Sequence, residues 1–217
     1  MEPSHTADPI EHFCTLTKEV AQARGIEVIL SPDSHIPYPS TGDLVNGYMI
    51  EYPKPQLAVA TGKDTALWLP ILVHESSHLD QYLEGDKTWK DSYVPGTTIE
   101  TVEILTLWFE QKIELSTDQL DEYVWRSRDV ELDCERRTVA KIKAFNLPID
   151  TVSYTQKANS YIFFYTAMRE TRSWYIPGKE PYNLPEVWSL CPTVFLDAGA
   201  YNTVPDELMV AYKKILA

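Results

Sequence analysis

Two histidines and a glutamate in the first half of the chain have the spacing that a catalytic metal site needs. The run His74-Glu75-Ser76-Ser77-His78 places two imidazoles four residues apart, so on an α-helix they point to one face, about 40° apart. One tetrahedral metal ion can take two nitrogen ligands from such a pair. Glu75 follows His74 directly and is angled to hold its carboxylate beside a water molecule on the metal. The spacing therefore predicts a hydrolytic metal site in which Glu75 is the general base.

The pattern HExxH is a signature of zinc peptidases, and a catalytic zinc site needs a third protein ligand. No histidine follows His78, so a carboxylate has to complete the site unless His35 folds back. On a predicted helix after Ser116, Glu131 lies in the middle of an apolar stripe formed by Leu120, Val124, Cys134, Thr138, Ile142 and Phe145. A carboxylate on such a stripe is costly to bury unless it is paired or binds a metal. We therefore predict Glu131 as the third ligand, and the alternative is a buried ion pair with a nearby basic group.

Two supporting roles have candidates on the same helix and on the next one. Glu135, one turn after Glu131, is the candidate for holding the second nitrogen of a ligating imidazole, and the alternative is a surface pairing. The developing oxyanion needs a donor besides the metal, and with no downstream histidine this donor should be a tyrosine or an arginine. The candidates are Tyr161, Tyr165, Arg169 and Arg172; the alternative for each is core packing or surface charge.

These residues resemble the gluzincin group of metallopeptidases, in which HExxH is completed by a glutamate from a later helix, commonly within Glu-x-x-x-Asp. His74, Glu75 and His78 match the first motif, and the segment from Glu131 to Glu135 matches the second with Glu replacing Asp. The order of strands, motif helix and Glu-bearing helix, over roughly residues 25 to 145, is similar to the small ImmA/IrrE-type peptidases. The resemblance implies a zinc-dependent metallopeptidase that acts on a peptide or protein substrate and allows for a regulatory protein partner.

The elements that must position these residues follow from periodicity and from helix and turn signals. Helices are predicted at 10–23, 65–84, 98–115, 116–147, 159–174 and from 205 onward, and strands at 26–30, 44–52 and 56–61. The predicted fold class is α+β and zincin-like, with a small three-stranded sheet packed against a mostly helical body and the HExxH helix buried. We predict a single domain over residues 1–217, with its core at about 10–147 and a helical and irregular extension at about 148–217. The strand at 56–61 is the candidate edge along which an extended peptide pairs.

The composition restricts the partners of the chain. Asp and Glu number 32 against 19 Lys and Arg, which gives a formal net charge of −13. A field of this sign repels phosphate backbones and anionic lipid, so nucleic acid and membrane surfaces are not expected as partners. Three widely spaced cysteines and a polar N-terminus predict a cytoplasmic protein.

Two other functions are open alternatives to a peptidase. One is a zincin-like module without activity that binds a partner or has a structural role, against which the intact Glu75 argues. The other is a metal-dependent hydrolase acting on an amide that is not a peptide.

Overall fold

The computed structural model of the chain describes residues 8–176 and 178–216, and it has the predicted α+β class. The helices are α1 (Pro9–Gln22), α2 (Thr65–Glu84), α3 (Lys87–Asp91), α4 (Thr101–Phe109), α5 (Thr117–Ala144), α6 (Thr151–Thr171), α7 (Pro185–Trp188) and α8 (Asp206–Leu216). The strands are β1 (Glu27–Ser31), β2 (Ile36–Pro37), β3 (Leu44–Val45), β4 (Gly47–Ile50) and β5 (Gln56–Ala60). No helix in the described part of the chain has the length and apolar character that crossing a membrane requires.

The chain divides into two compact units. The first comprises the residues up to Glu84 together with Arg137–Ile149, and the second comprises Gly85–Arg136 together with the residues from Asp150 onward. The first unit therefore contains the sheet, α2 and the last part of α5. The second contains α6 and the irregular segment that follows it. The prediction of a single domain stays a prediction.

The first unit contains a mixed sheet in the order β1, β5, β4. β4 and β5 form an antiparallel hairpin, with Gly47 opposite Val59. β1 pairs with the other side of β5 in parallel. The strand predicted to be an edge at 56–61 is therefore the central strand, and that prediction is wrong. An isolated sequence shows where a strand lies but not how many neighbours it has, and here β1 covers the side of β5 that the hairpin leaves open.

The two faces of this sheet carry alternate residues, as the period of a strand requires. One face carries Tyr48, Ile50 and Ala58, which pack with Ile36 of β2 in a small apolar cluster. On the other face, Gly47 lies against the side chain of Ile71 on α2. The sheet is therefore the support on which α2 rests, and Gly47 is one point of close contact.

Helix α2 has the bounds that the sequence predicts. It ends at Glu84, and Gly85 follows with φ +61°, a left-handed conformation that glycine adopts without steric cost. Pro70 lies inside the helix, beyond the first turn. Proline has no backbone N–H, so the hydrogen bond that residue 70 would otherwise donate to the carbonyl of Ala66 is missing from this helix.

The core of the second unit lies around α6, which begins earlier than predicted. Asp150 accepts hydrogen bonds from the backbone amides of Val152 and Ser153, at 3.1 and 3.4 Å, and so starts the helix at Thr151. Apolar residues of α6, such as Ile162 and Phe163, pack with residues of α4, α5, α8 and the irregular segment. The described residues of that segment, 178–204, therefore help to close the core of this unit.

Candidate functional site

The two motif histidines lie on one face of α2, as predicted. The ring centroids of His74 and His78 are 4.7 Å apart, and the ring planes are nearly perpendicular, at 88°. His74 is half-buried and His78 is 8% exposed. Because the side chains are adjacent, both imidazoles can supply a nitrogen to one ion, and the donor type fits zinc.

Gln81 fixes the tautomer of His78, a role that the sequence did not reveal. The Nδ1 atom of His78 lies 2.7 Å from Oε1 of Gln81, and the Gln81 side chain is fully buried. An amide oxygen can only accept a hydrogen bond, so Nδ1 is the protonated nitrogen and donates to it. Nε2 is then the nitrogen that carries the lone pair, which is the tautomer that a histidine ligating through Nε2 requires. The sequence indicates this contact only by spacing, because Gln81 follows His78 by about one helical turn.

The two serines inside the motif have structural hydrogen bonds. The hydroxyls of Ser76 and Ser77 donate to the carbonyl of Val73, at 2.7 and 2.9 Å. From the last part of α5, Thr138 Oγ1 donates to Ser77 Oγ at 3.0 Å, and Lys141 Nζ donates to the Ser76 carbonyl at 2.7 Å. Small hydroxyl side chains at these two positions therefore let polar groups of α5 reach the turn of α2 that carries the histidines.

Glu75, the predicted general base, is 8% exposed. Its Cγ lies close to β4, because a β-carbon added to Gly47 would be only 3.3 Å from it. β4 is an edge strand of the three-stranded sheet. The predicted base thus lies at the edge of the sheet, beside a strand that has one side of its backbone turned away from β5.

Glu131, the predicted third ligand, belongs to the second unit. Its Oε2 atom is buried, and its carboxylate lies near the hydroxyls of two tyrosines on α6, Tyr161 and Tyr165. Burial, with a contribution from Glu131, raises the pKa of both tyrosines well above the ordinary value of 10.0. The two hydroxyl oxygens are 3.0 Å apart. Both phenols therefore stay protonated at neutral pH and can act as hydrogen-bond donors.

The stripe of α5 on which Glu131 was predicted to lie is buried at four of its six predicted apolar positions. Those four buried residues are Val124, Cys134, Thr138 and Ile142. Glu135 is buried as well, and it accepts a hydrogen bond from the hydroxyl of Tyr154 at 2.6 Å. Its predicted contact with an imidazole stays a prediction. The polar contact that orients His78 within the first unit comes from Gln81.

The two arginines proposed as oxyanion donors have structural partners in the second unit. Arg169 binds the carboxylate of Asp121, and this hydrogen bond raises the pKa of Arg169 above its ordinary value. Arg172 donates to the carbonyl of Trp108, at 2.9 and 3.1 Å, and to Glu114 at 3.0 Å. Tyr165 is buried in the core of the second unit and Tyr161 packs against it, and the role of all four residues as oxyanion donors stays a prediction.

Comparison with protein-family models, with curated proteins and with solved structures found no match for this chain.

Proposed function

We propose that this chain is a metal-dependent peptidase whose site is built on α2. The observation that carries the proposal is the His74–His78 pair on one face of α2, with the tautomer of His78 set by Gln81 so that Nε2 carries the lone pair that a metal would take. Glu75 stands between the two histidines in the sequence, and it is buried, as His78 is.

The metal that best suits these donors is zinc, because imidazole nitrogens together with a carboxylate or a thiolate are its usual ligands. His74 and His78 would hold it together with a third ligand from α5. Glu131 is the ligand that the sequence predicts. Cys134, a buried thiol on the same stripe, is a second candidate for that position.

When bound, zinc would polarise the scissile carbonyl of the substrate. Glu75 would accept a proton from the attacking water molecule and return it to the leaving amine. Tyr161 and Tyr165, protonated at neutral pH, are the proposed donors to the oxyanion. The substrate in this proposal is an extended peptide whose backbone pairs with the free edge of β4.

The metal site is tested by the zinc content of protein purified without added metal. We expect about one zinc per chain in the wild type, and loss of zinc in His74→Ala and His78→Ala. The exposed His12 provides the matched control, since His12→Ala should keep its zinc. Glu131→Gln and Cys134→Ser then identify the third ligand, because only the variant that removes it should lose the metal. Equal zinc content in all five variants would refute the site.

The activity is tested by digestion of a peptide library with the wild type and with Glu75→Gln. We expect the substitution to lower kcat by a factor of about 10² to 10⁴, because the general base is removed while the metal ligands remain. Glu84→Gln is the control, since Glu84 is an exposed carboxylate on the same helix. No cleavage by the wild type, or equal cleavage by the wild type and Glu75→Gln, would reject the peptidase. It would favour the alternative of a zincin-like module that binds a partner and has no activity.

A further inference from the structure

Gly47, the first residue of β4, occupies a position at which the structure leaves no space for a side chain. A β-carbon there would lie 2.7 Å from Cγ2 of Ile71, 3.1 Å from the carbonyl oxygen of Ala58 and 3.3 Å from Cγ of Glu75. The first of these distances is shorter than real contacts between such atoms, and the third is tighter than most. The constraint at Gly47 is therefore one of space.

Backbone conformation is not the reason for glycine at this position. Five glycines of the described chain have a left-handed φ, and Gly47 is not among them. Its partner in the sheet, Val59, is an ordinary β-branched residue in regular antiparallel register. A side chain at residue 47 is therefore excluded by its surroundings: by the backbone carbonyl of Ala58 on β5 and by the two side chains that α2 places against the strand.

The two α2 side chains that fill this space are one helical turn apart. Ile71 and Glu75 occupy positions i and i+4, so both point from the same face of the helix toward the start of β4. Ile71 is an apolar packing residue, whereas Glu75 is the proposed general base. The missing side chain at Gly47 therefore determines how closely the stem of Glu75 can approach the edge strand.

We infer that Gly47 is a positioning residue for Glu75, which rests on the proposed function. The absence of a β-carbon lets the Glu75 side chain lie against the backbone of β4, so that its carboxylate is presented at the sheet edge where the substrate backbone would pair. A β-carbon at residue 47 would overlap Cγ2 of Ile71, and its contact with Cγ of Glu75 would require that neighbour to give way by a few tenths of an ångström. Proton transfer is sensitive to displacements of this size, because the base must be within hydrogen-bond reach of the proton that it removes.

The test compares Gly47→Ala with two matched variants. Gly199→Ala adds the same methyl group where nothing lies within 4 Å of the new atom. Ile71→Ala removes the other side chain that faces Gly47, and so loosens the same contact without adding an atom beside Glu75. We expect kcat for peptide cleavage to fall about tenfold in Gly47→Ala, with KM little changed, because a displaced base slows the chemical step more than it weakens binding. Gly199→Ala and Ile71→Ala should keep kcat near the wild-type value, even though Ile71→Ala lowers the melting temperature.

A second measurement, by NMR, reports a change in the environment of the Glu75 carboxyl group without depending on activity. The carbon NMR signal of the Glu75 carboxyl group, identified by its loss in Glu75→Gln, should shift in Gly47→Ala and stay in place in Gly199→Ala. An unshifted signal, or a kcat that falls in Ile71→Ala as much as in Gly47→Ala, would overturn the inference. If the wild type cleaves no peptide and the signal still shifts, the proposed function fails and the positioning of Glu75 by Gly47 stands.

Discussion

The central helices of the two units, α2 and α6, both bury polar side chains, but those side chains have different kinds of partner. On α6, Asn159 donates to the carbonyls of Pro192 and Val194, at 2.7 and 2.9 Å, and Thr166 donates to the carbonyl of Tyr201 at 2.7 Å. On α2, Gln81 is bound to the ring of His78. Burial of polar groups alone thus does not indicate a functional site.

The polar side chains of the two helices differ in the chemistry of the groups to which they are hydrogen-bonded. The backbone carbonyls that α6 contacts accept hydrogen bonds from its side chains, so the polar groups of α6 hold an irregular segment in place. An imidazole can bind a metal, so the amide of Gln81 supports a group that can take part in a reaction. The comparison predicts that substitution of Asn159 on α6 changes stability, whereas substitution of Gln81 on α2 changes metal binding.

The largest effect on stability is expected for Asn159→Ala. The substitution leaves the carbonyls of Pro192 and Val194 without their donor and also removes the acceptor of the Tyr201 hydroxyl. We expect the free energy of unfolding in urea to fall by about 3 kcal/mol. Gln156→Ala is the control, since Gln156 donates to the carbonyl of Cys191 from a half-exposed position, and it should lose about 1 kcal/mol or less. A drop in zinc affinity in Asn159→Ala would contradict the distinction between the two helices.

The counterpart on α2 is Gln81→Met, which keeps the size of the side chain and removes the acceptor for Nδ1 of His78. We expect the affinity for zinc to fall by a factor of about 10 to 100, because the imidazole loses the contact that fixes its tautomer. Competition with a chelator of known affinity measures this change. Gln81→Glu, which keeps an acceptor oxygen, should restore most of the affinity. If both variants bind zinc like the wild type, Gln81 has no role at the site.

Alkaline pH provides a test of the apolar core around α6. Burial raises the pKa of the Cys191 thiol from an ordinary value of 9.0 to about 12. In the unfolded chain the thiol loses its proton above pH 9, while in the folded chain it keeps it, so stability is lost as pH rises from 9 toward 12. We expect the free energy of unfolding to fall by up to about 1.4 kcal/mol per pH unit from this group. Cys191→Ala should show a shallower decline than the wild type over this interval, and an equal decline would place the thiol outside the core.

The smallest effect is expected for an exposed ion pair. Lys87 and Asp91 form an i, i+4 pair on α3, and the Lys87 side chain is 85% exposed. Lys87→Ala should change the free energy of unfolding by about 0.5 kcal/mol or less, because solvent screens the charges and the long side chain loses entropy on pairing. A loss comparable to that of Asn159→Ala would show that surface pairs matter here as much as buried hydrogen bonds.

Local patterns predicted those parts of the structure that depend on a few neighbouring residues. The histidine pair and the bounds of α2 follow from helix periodicity and from Gly85, and both are confirmed. The predicted helix after Ser116 begins as α5 with a capping box, in which the Ser116 amide donates to Gln119 and the Gln119 amide donates to Ser116. These signals lie within one or two turns of the chain, where local sterics and hydrogen bonding dominate.

The sequence was less informative where distant residues or unusual backbone conformations decide the structure. α4 ends at Phe109, six residues before its predicted end, because Gln111 adopts φ +58° and the Lys112 amide bonds to the carbonyl of Leu107 at 2.9 Å. Such a stop is expected of glycine and is hard to predict at a glutamine. The central position of β5 depends on β1, a strand far away in the sequence, so no local pattern could indicate it.

The mixed pairing of β5 also has a consequence for the order in which the chain folds. β4 and β5 are joined by a short loop, and α2 begins a few residues after β5, so this part has low contact order and can assemble on the timescale of a hairpin, about 1–10 μs. Glu27 of β1 pairs with Gln56, 29 residues further along the chain, and closing that longer loop costs more entropy. We therefore expect the contact between Gly47 and α2 to form from one continuous stretch of chain, before β1 docks on the opposite edge of the hairpin.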